Sequence, residues 1–163
     1  MSGGRVVAPN SLLVASEAFA NDEHLARKHT SEGSNVSPPL RWSNAPAGTR
    51  SLAVICETAD GDGVFTHWVL YDLPEDTRRL SEGSSGGGKK GLNSYNTIGY
   101  TGPSPALNGS GRYVFRVYAL DVSSIGPAGL SKDEALAAFE GHVLAEGTLM
   151  ARYHRRRRAL VGA

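Results

Sequence analysis

The side chains best able to do chemistry gather in one short stretch. Glu57, Asp60, Asp62 and His67 lie between two apolar runs, residues 52–56 (LAVIC) and 68–71 (WVLY). An imidazole near a carboxylate has two uses. The acid can favour imidazolium, which then holds an anion. Or the neutral ring can take a proton as a general base, a contribution of about 10² to 10⁴ in rate. His67 with Asp60 is the pair that this spacing suggests. The plainer reading makes Asp60, before Gly61, a turn residue and His67 a ring satisfied by a backbone carbonyl.

These groups need a frame. Both apolar runs are too short for helices and are rich in β-branched and aromatic residues, so they read as buried strands. Residues 57–67 then form a polar loop between them, a common place for reactive side chains on a rigid support. Residues 12–15 suggest a first short strand. Pro38 and Pro39 make 37–42 an extended segment or sheet edge. Residues 113–120 (YVFRVYAL) are the clearest strand, apolar on both faces. Ser131 with Glu134 forms a capping box that opens a helix through Phe139. Residues 142–146 suggest a further helical turn, and 148–153 a closing strand.

Bulk properties narrow the function. A chain of 163 residues with 40% hydrophobic and 20% charged residues suits one globular domain spanning 1–163. Its tails, 1–11 and 155–163, are expected to be flexible, and the Gly-rich stretch 82–92 to be a mobile loop. A net charge of +1 gives no field that would gather nucleic acid. No run approaches the roughly 18 apolar residues of a membrane span, and the apolar run near the N-terminus is too short for a secretory signal, so no integral membrane contact and a cytoplasmic location are expected. Cys56 stands alone inside a strand and reads as a small hydrophobe. There is no CxxC, HExxH, GxSxG or GxGxxG, so no metal and no cofactor is expected. The glycines before Lys89 lack a phosphate-loop pattern. Residues 155–158, four arginines, read as a solvated tail, with an acidic partner surface as the lesser alternative.

Five segments together resemble the phosphatidylethanolamine-binding protein (PEBP) family, in its bacterial branch. They are SPPLRWSNAPAGTRSLAV at 37–54, FTHWVLYDLP at 65–74, GYTGPSP at 99–105, RYVFRVYALD at 112–121 and EGHVLAEGTLMARY at 140–153. The resemblance implies a mainly β fold, a two-sheet β-sandwich with a few short helices near the C-terminus. It also implies a small anion-binding pocket at one end of the sheet. Residue by residue, His67 and Trp68 match the family's His-Trp pair, Gly102 to Pro105 its Gly-Pro-x-Pro loop, and Arg112-Tyr113 the end of its Gly-x-His-Arg-Tyr segment. Ser104 stands where many bacterial members have Cys. The ligand-binding set carried over is His67, Asp60, Trp68, Tyr100, Pro103, Ser104, Gly111 and Tyr113.

Two positions depart from the family. Its Asp-Pro-Asp-Ala-Pro loop becomes Thr58-Ala59-Asp60-Gly61-Asp62, one residue short and retaining only the second acid. Its pocket histidine before Arg-Tyr becomes Gly111. A phosphate would lose charge-assisted donors worth roughly 1.5–3 kcal/mol each, and the pocket would widen. Two functions follow. One is a binding protein for a small anionic or polar organic ligand. The other is a cofactor-independent enzyme, an isomerase or cyclase acting on a small carbonyl metabolite of the kind found in biosynthesis, with His67 and Asp60 as catalytic residues. A homodimer is expected by analogy alone, and no protein partner is indicated. Gly111→His is expected to restore part of the phosphate affinity; equal calorimetric affinity before and after the change would refute this account of the departure.

Overall fold

The computed structural model describes residues 10–58, 64–104 and 111–153. Among them a seven-stranded sheet has the order β1-β10-β9-β5-β6-β8, with β3 added against β10. Its strands are β1 (Asn10–Ser11), β3 (Glu23–His24), β5 (Ser51–Thr58), β6 (Phe65–Pro74), β8 (Lys89–Lys90), β9 (Gly111–Leu120) and β10 (Val143–Tyr153). A smaller sheet of three strands runs β2 (Leu13–Ala15), β4 (Leu40–Ser43) and β7 (Arg79–Leu80). A short 3-10 turn covers Arg27–His29, and one α-helix, α1, covers Lys132–Phe139. The mainly β, two-sheet architecture expected from the sequence is therefore present, with one α-helix among the described residues.

Strand β5 lies at the centre, paired antiparallel with β6 on one side and β9 on the other. Both of its faces are buried, which is why it reads as an unbroken apolar run and not as an alternation. Leu52, Val54 and Cys56 face one core, shared with Trp42, Leu40 and Leu80 of the small sheet and with Phe115 and Val117 of β9. Ala53 and Ile55 face the other, shared with Val69, Tyr71 and Tyr118 and covered by Ala135 and Phe139 of α1. The capping box forms as read, with Ser131 Oγ accepting from Glu134 N at 3.2 Å and Glu134 Oε1 accepting from Ser131 N at 2.9 Å. Gly141, at φ 81°, turns the chain away after the helix.

The structure corrects four local expectations. Residues 142–146 are not a helical turn; they open β10, which pairs with β9 from Val143↔Leu120 to Tyr153↔Gly111. Local propensity there is weak, and a long antiparallel ladder outweighs it. Thr58 and His67 belong to strands β5 and β6, so the polar loop is shorter than 57–67. The stretch 82–92, expected to be a mobile loop, contains edge strand β8, and Gly91 N donates to Val69 O at 2.7 Å. Asn10–Ser11, placed within the N-terminal tail, pairs with β10 as β1. The four arginines at 155–158 lie outside the described residues.

Gly91 shows why that stretch is rich in glycine. A Cβ there would collide with the Leu130 carbonyl and the Val69 side chain. Gly91→Ala is expected to destabilise the fold by about 1–3 kcal/mol, read as a lower thermal midpoint. An unchanged midpoint would mean that this approach is not tight.

Candidate functional site

The site is built by a slip in one ladder. Between β5 and β6 the pairing passes from Cys56↔Trp68 to Glu57↔Thr66, so His67 is an inserted residue, a β-bulge. Bulges re-aim side chains, and this one turns His67 toward Thr58 and Tyr113. Those two residues face each other directly across β5 and β9. Three neighbouring strands thus deliver His67, Thr58 and Tyr113 to one place, all of them at most 3% exposed.

The hydrogen bonds define the tautomer of His67. Its Nδ1 is 2.9 Å from the Thr101 carbonyl, which can only accept, so Nδ1 carries the hydrogen. Nε2 is then a lone pair, and Thr58 Oγ1–H donates to it at 2.6 Å. Both ring nitrogens are engaged within the protein. Burial pushes the ring's pKa down from 6.5 to about 4, only partly opposed by the Thr101 bond. His67 is therefore neutral at neutral pH and has no free donor for an anion.

Tyr113 stacks on His67, ring centroids 4.5 Å apart at 31°. Its hydroxyl is buried, and among the described residues no well-aligned hydrogen bond reaches it, the Thr58 hydroxyl being the polar group close enough to act on it. Burial raises its pKa far above the ordinary phenol value, with the nearby Thr58 hydroxyl pulling weakly the other way. Tyr95 adds a third ring, 5.5 Å from His67, and Phe65 stacks on Tyr95 at 6.0 Å.

One buried residue holds the loop that supplies Tyr95 and the Thr101 carbonyl. Asn93 Oδ1 accepts from Tyr95 N at 2.9 Å and Thr97 N at 3.2 Å, while Nδ2 donates to Gly99 O at 3.0 Å and Thr101 Oγ1 at 3.2 Å. Asn93 replaces with one amide the backbone pairing that a strand would supply. Nothing in the local sequence marks it out, since Asn in a Gly- and Ser-rich stretch reads as a turn residue. Thr58 was visible in the sequence only as a departure. That it bonds to His67 follows from the bulge, which no local pattern announces.

The other residues expected at the site divide. Trp68 is 2% exposed in the first core and meets Tyr100 edge-on at 5.5 Å. The Tyr100 hydroxyl donates to His29 O at 2.6 Å, away from His67. Gly102 N donates to Asn35 Oδ1, and the Pro103 carbonyl accepts from Ser31, so this loop is pinned to the segment 31–35 that follows the 3-10 turn. Ser104 ends the described part of the loop, and Gly111 opens β9 two residues before Tyr113. Asp60, Asp62 and Pro105 lie outside the described residues. Among the described residues no group of three His, Cys, Asp or Glu side chains is placed to hold a metal ion. An open cleft of about 820 Å³, lined by Arg50, Asp72, Asp76 and Arg78 among others, lies at the opposite end of β5 and β6.

This architecture matches known proteins. The family profile described as Phosphatidylethanolamine-binding protein matches residues 15–154. The chain belongs to that family. A UPF0098 protein of Methanothermobacter thermautotrophicus is 40% identical over 145 residues, covering 85% of this chain and 95% of that one. A UPF0098 protein of Aquifex aeolicus is 37% identical over 150 residues, covering 87% and 88%. A crystal structure of a PEBP homologue from Chlamydia trachomatis superposes with a TM-score of 0.84 at 34% identity, covering 90% of this chain and 99% of that one. E. coli YbcL, at 24% identity and a TM-score of 0.81 over 90% and 99%, shares the fold. As in these PEBP relatives, the chain is built around a β framework; no helix of the described residues is long and apolar enough to cross a membrane.

The depressed His67 pKa carries a stability consequence. Between about pH 6.5 and about pH 4 the unfolded chain takes up a proton that the folded one excludes. The contribution of His67 is thus complete above the upper value and lost as pH falls through that window, to a total of about 3 kcal/mol. Its ring resonances are expected to stay at the neutral position until near pH 4, followed by NMR. Titration near 6.5 would show the ring to be solvated.

Proposed function

We propose that this PEBP family member binds a small polar organic molecule through an uncharged oxygen, a carbonyl above all, at the His67–Thr58–Tyr113 site. The observation that carries this is the buried Tyr113 hydroxyl. Among the described residues no well-aligned hydrogen bond satisfies it, and a buried hydroxyl left so costs about 1–3 kcal/mol, which a ligand oxygen that accepts its hydrogen recovers. The surrounding His67, Tyr95 and Phe65 rings suit a flat apolar body beside the oxygen.

Of the two ligand classes expected from the sequence, polar and anionic, the site's charge supports the first. His67 is neutral with both nitrogens engaged, and it takes part in no ion pair among the described residues. Direct proton abstraction from a substrate by His67, the isomerase or cyclase reading, has less support, because Nε2 faces Thr58.

Acetophenone serves as the probe, with inorganic phosphate as the anionic comparison. Calorimetry is expected to show acetophenone binding more tightly than phosphate, and Tyr113→Phe weakening acetophenone by about 3- to 10-fold while leaving the fold intact. Tighter binding of phosphate, or no effect of Tyr113→Phe, would refute this reading.

A further inference from the structure

The hydrogen-bond directions at this site describe more than a binding pocket. Among the described residues, the proton that faces His67 Nε2 is that of Thr58, at 2.6 Å. The base is itself oriented by a third group, the Thr101 carbonyl on Nδ1 at 2.9 Å. A hydroxyl bonded to an imidazole that is oriented on its far side is the general signature of an activated nucleophile. The third requirement, a donor for developing negative charge, is met by the buried Tyr113 hydroxyl, which no well-aligned hydrogen bond engages among the described residues and which lies close to Thr58, the residue facing it across the ladder.

We propose that Thr58 is an acyl acceptor, with His67 as its base and Tyr113 as the oxyanion donor, for activated esters of small carboxylic acids. This rests on the reading that a ligand carbonyl meets the Tyr113 hydroxyl. In the first step Thr58 Oγ1 forms a bond to the carbonyl carbon and its proton passes to His67 Nε2. The carbonyl oxygen becomes an oxyanion held by Tyr113. The oxyanion collapses, the bond to the alkoxy or aryloxy leaving group breaks, and His67 returns the proton to that group. The products are an ester on Thr58 and a free alcohol or phenol. Water then attacks the Thr58 ester, again giving its proton to His67; the Thr58 oxygen leaves with that proton, and the free acid departs.

The environment limits this chemistry. The orienting group is a carbonyl and not a carboxylate, so imidazolium gains less stabilisation than in a triad with an acid. With its pKa near 4, His67 is always available as the free base at neutral pH but is a weak one. Good leaving groups, aryl esters above all, are therefore required, and turnover is slow.

The test treats the full chain with 4-nitrophenyl acetate, follows release of nitrophenolate, and maps the acetyl group by mass spectrometry. The expected result is acetylation of Thr58, kept in Thr58→Ser, lost in Thr58→Val and slowed about 10²-fold or more in Tyr113→Phe. The rate is expected to be flat through neutrality and to fall by half near pH 4, the value at which His67 gains a proton. A cooperative thermal unfolding transition reports that each variant is folded; should Thr58→Val fail this check, Thr58→Ser and the mapped position decide. Acetophenone binding with Thr58 unmodified overturns the acyl-transfer proposal and leaves the binding reading standing. Acetylation confined to lysines or other exposed groups overturns it equally. If acetophenone does not bind and Thr58 is not acetylated, both fall.

Discussion

The contact on which the site depends is the hydrogen bond from Thr58 to His67 Nε2, made possible by one inserted residue in β6. A one-residue shift in a regular strand moves a side chain to the opposite face of the sheet. Here the bulge confines the shift to His67 and leaves the flanking pairs Cys56↔Trp68 and Glu57↔Thr66 intact. Without it, the imidazole would point toward the α1 side with Val69 and Tyr71. Such a bond is worth only about 1 kcal/mol net, but breaking it strands a buried acceptor at a cost of about 1–3 kcal/mol. The ring is therefore held in one tautomer by an asymmetry of cost more than by a strong attraction.

That tautomer decides the electrostatics. A carboxylate at position 58 would favour imidazolium; a hydroxyl does not, and burial then holds the ring neutral. The family's name refers to a phospholipid, yet in this member the described part of the site presents a neutral imidazole, a threonine and a phenol. Position 58 thus bears on the protonation state of the imidazole beside it. The Asn93 amide extends the same logic outward, since it holds the segment from Tyr95 to Thr101 that both walls the site and supplies the carbonyl on Nδ1.

The large sheet supplies the rigidity. Thr58 and Tyr113 are partners in a ladder whose two faces are covered by separate cores, so neither strand can slide without exposing one of them. The loop side is tied by side-chain and backbone bonds rather than by a ladder, from Asn93, from Asn35 to Gly102 and from Tyr100 to His29. A stiff frame on one side thus faces a loop pinned at discrete points on the other.

Much of this was written into the sequence by local rules. The continuous apolar runs at 52–56 and 68–71 named the central strands because burial on both faces removes alternation. Ser131 and Glu134 named the helix because a capping box is a contact between near neighbours. The segments shared with the PEBP family named the fold, and His67 and Tyr113 were named with it. Other features belonged to tertiary structure. The start of β10 at Val143 needed its partner β9. The pairing of His67 with Thr58 needed a bulge, and its neutral state needed the burial that only packing provides. Asn93 became a structural hub only once its loop had folded around it. Each of these joins residues far apart in the chain or depends on exclusion of water, and neither is encoded in the spacing of neighbouring residues.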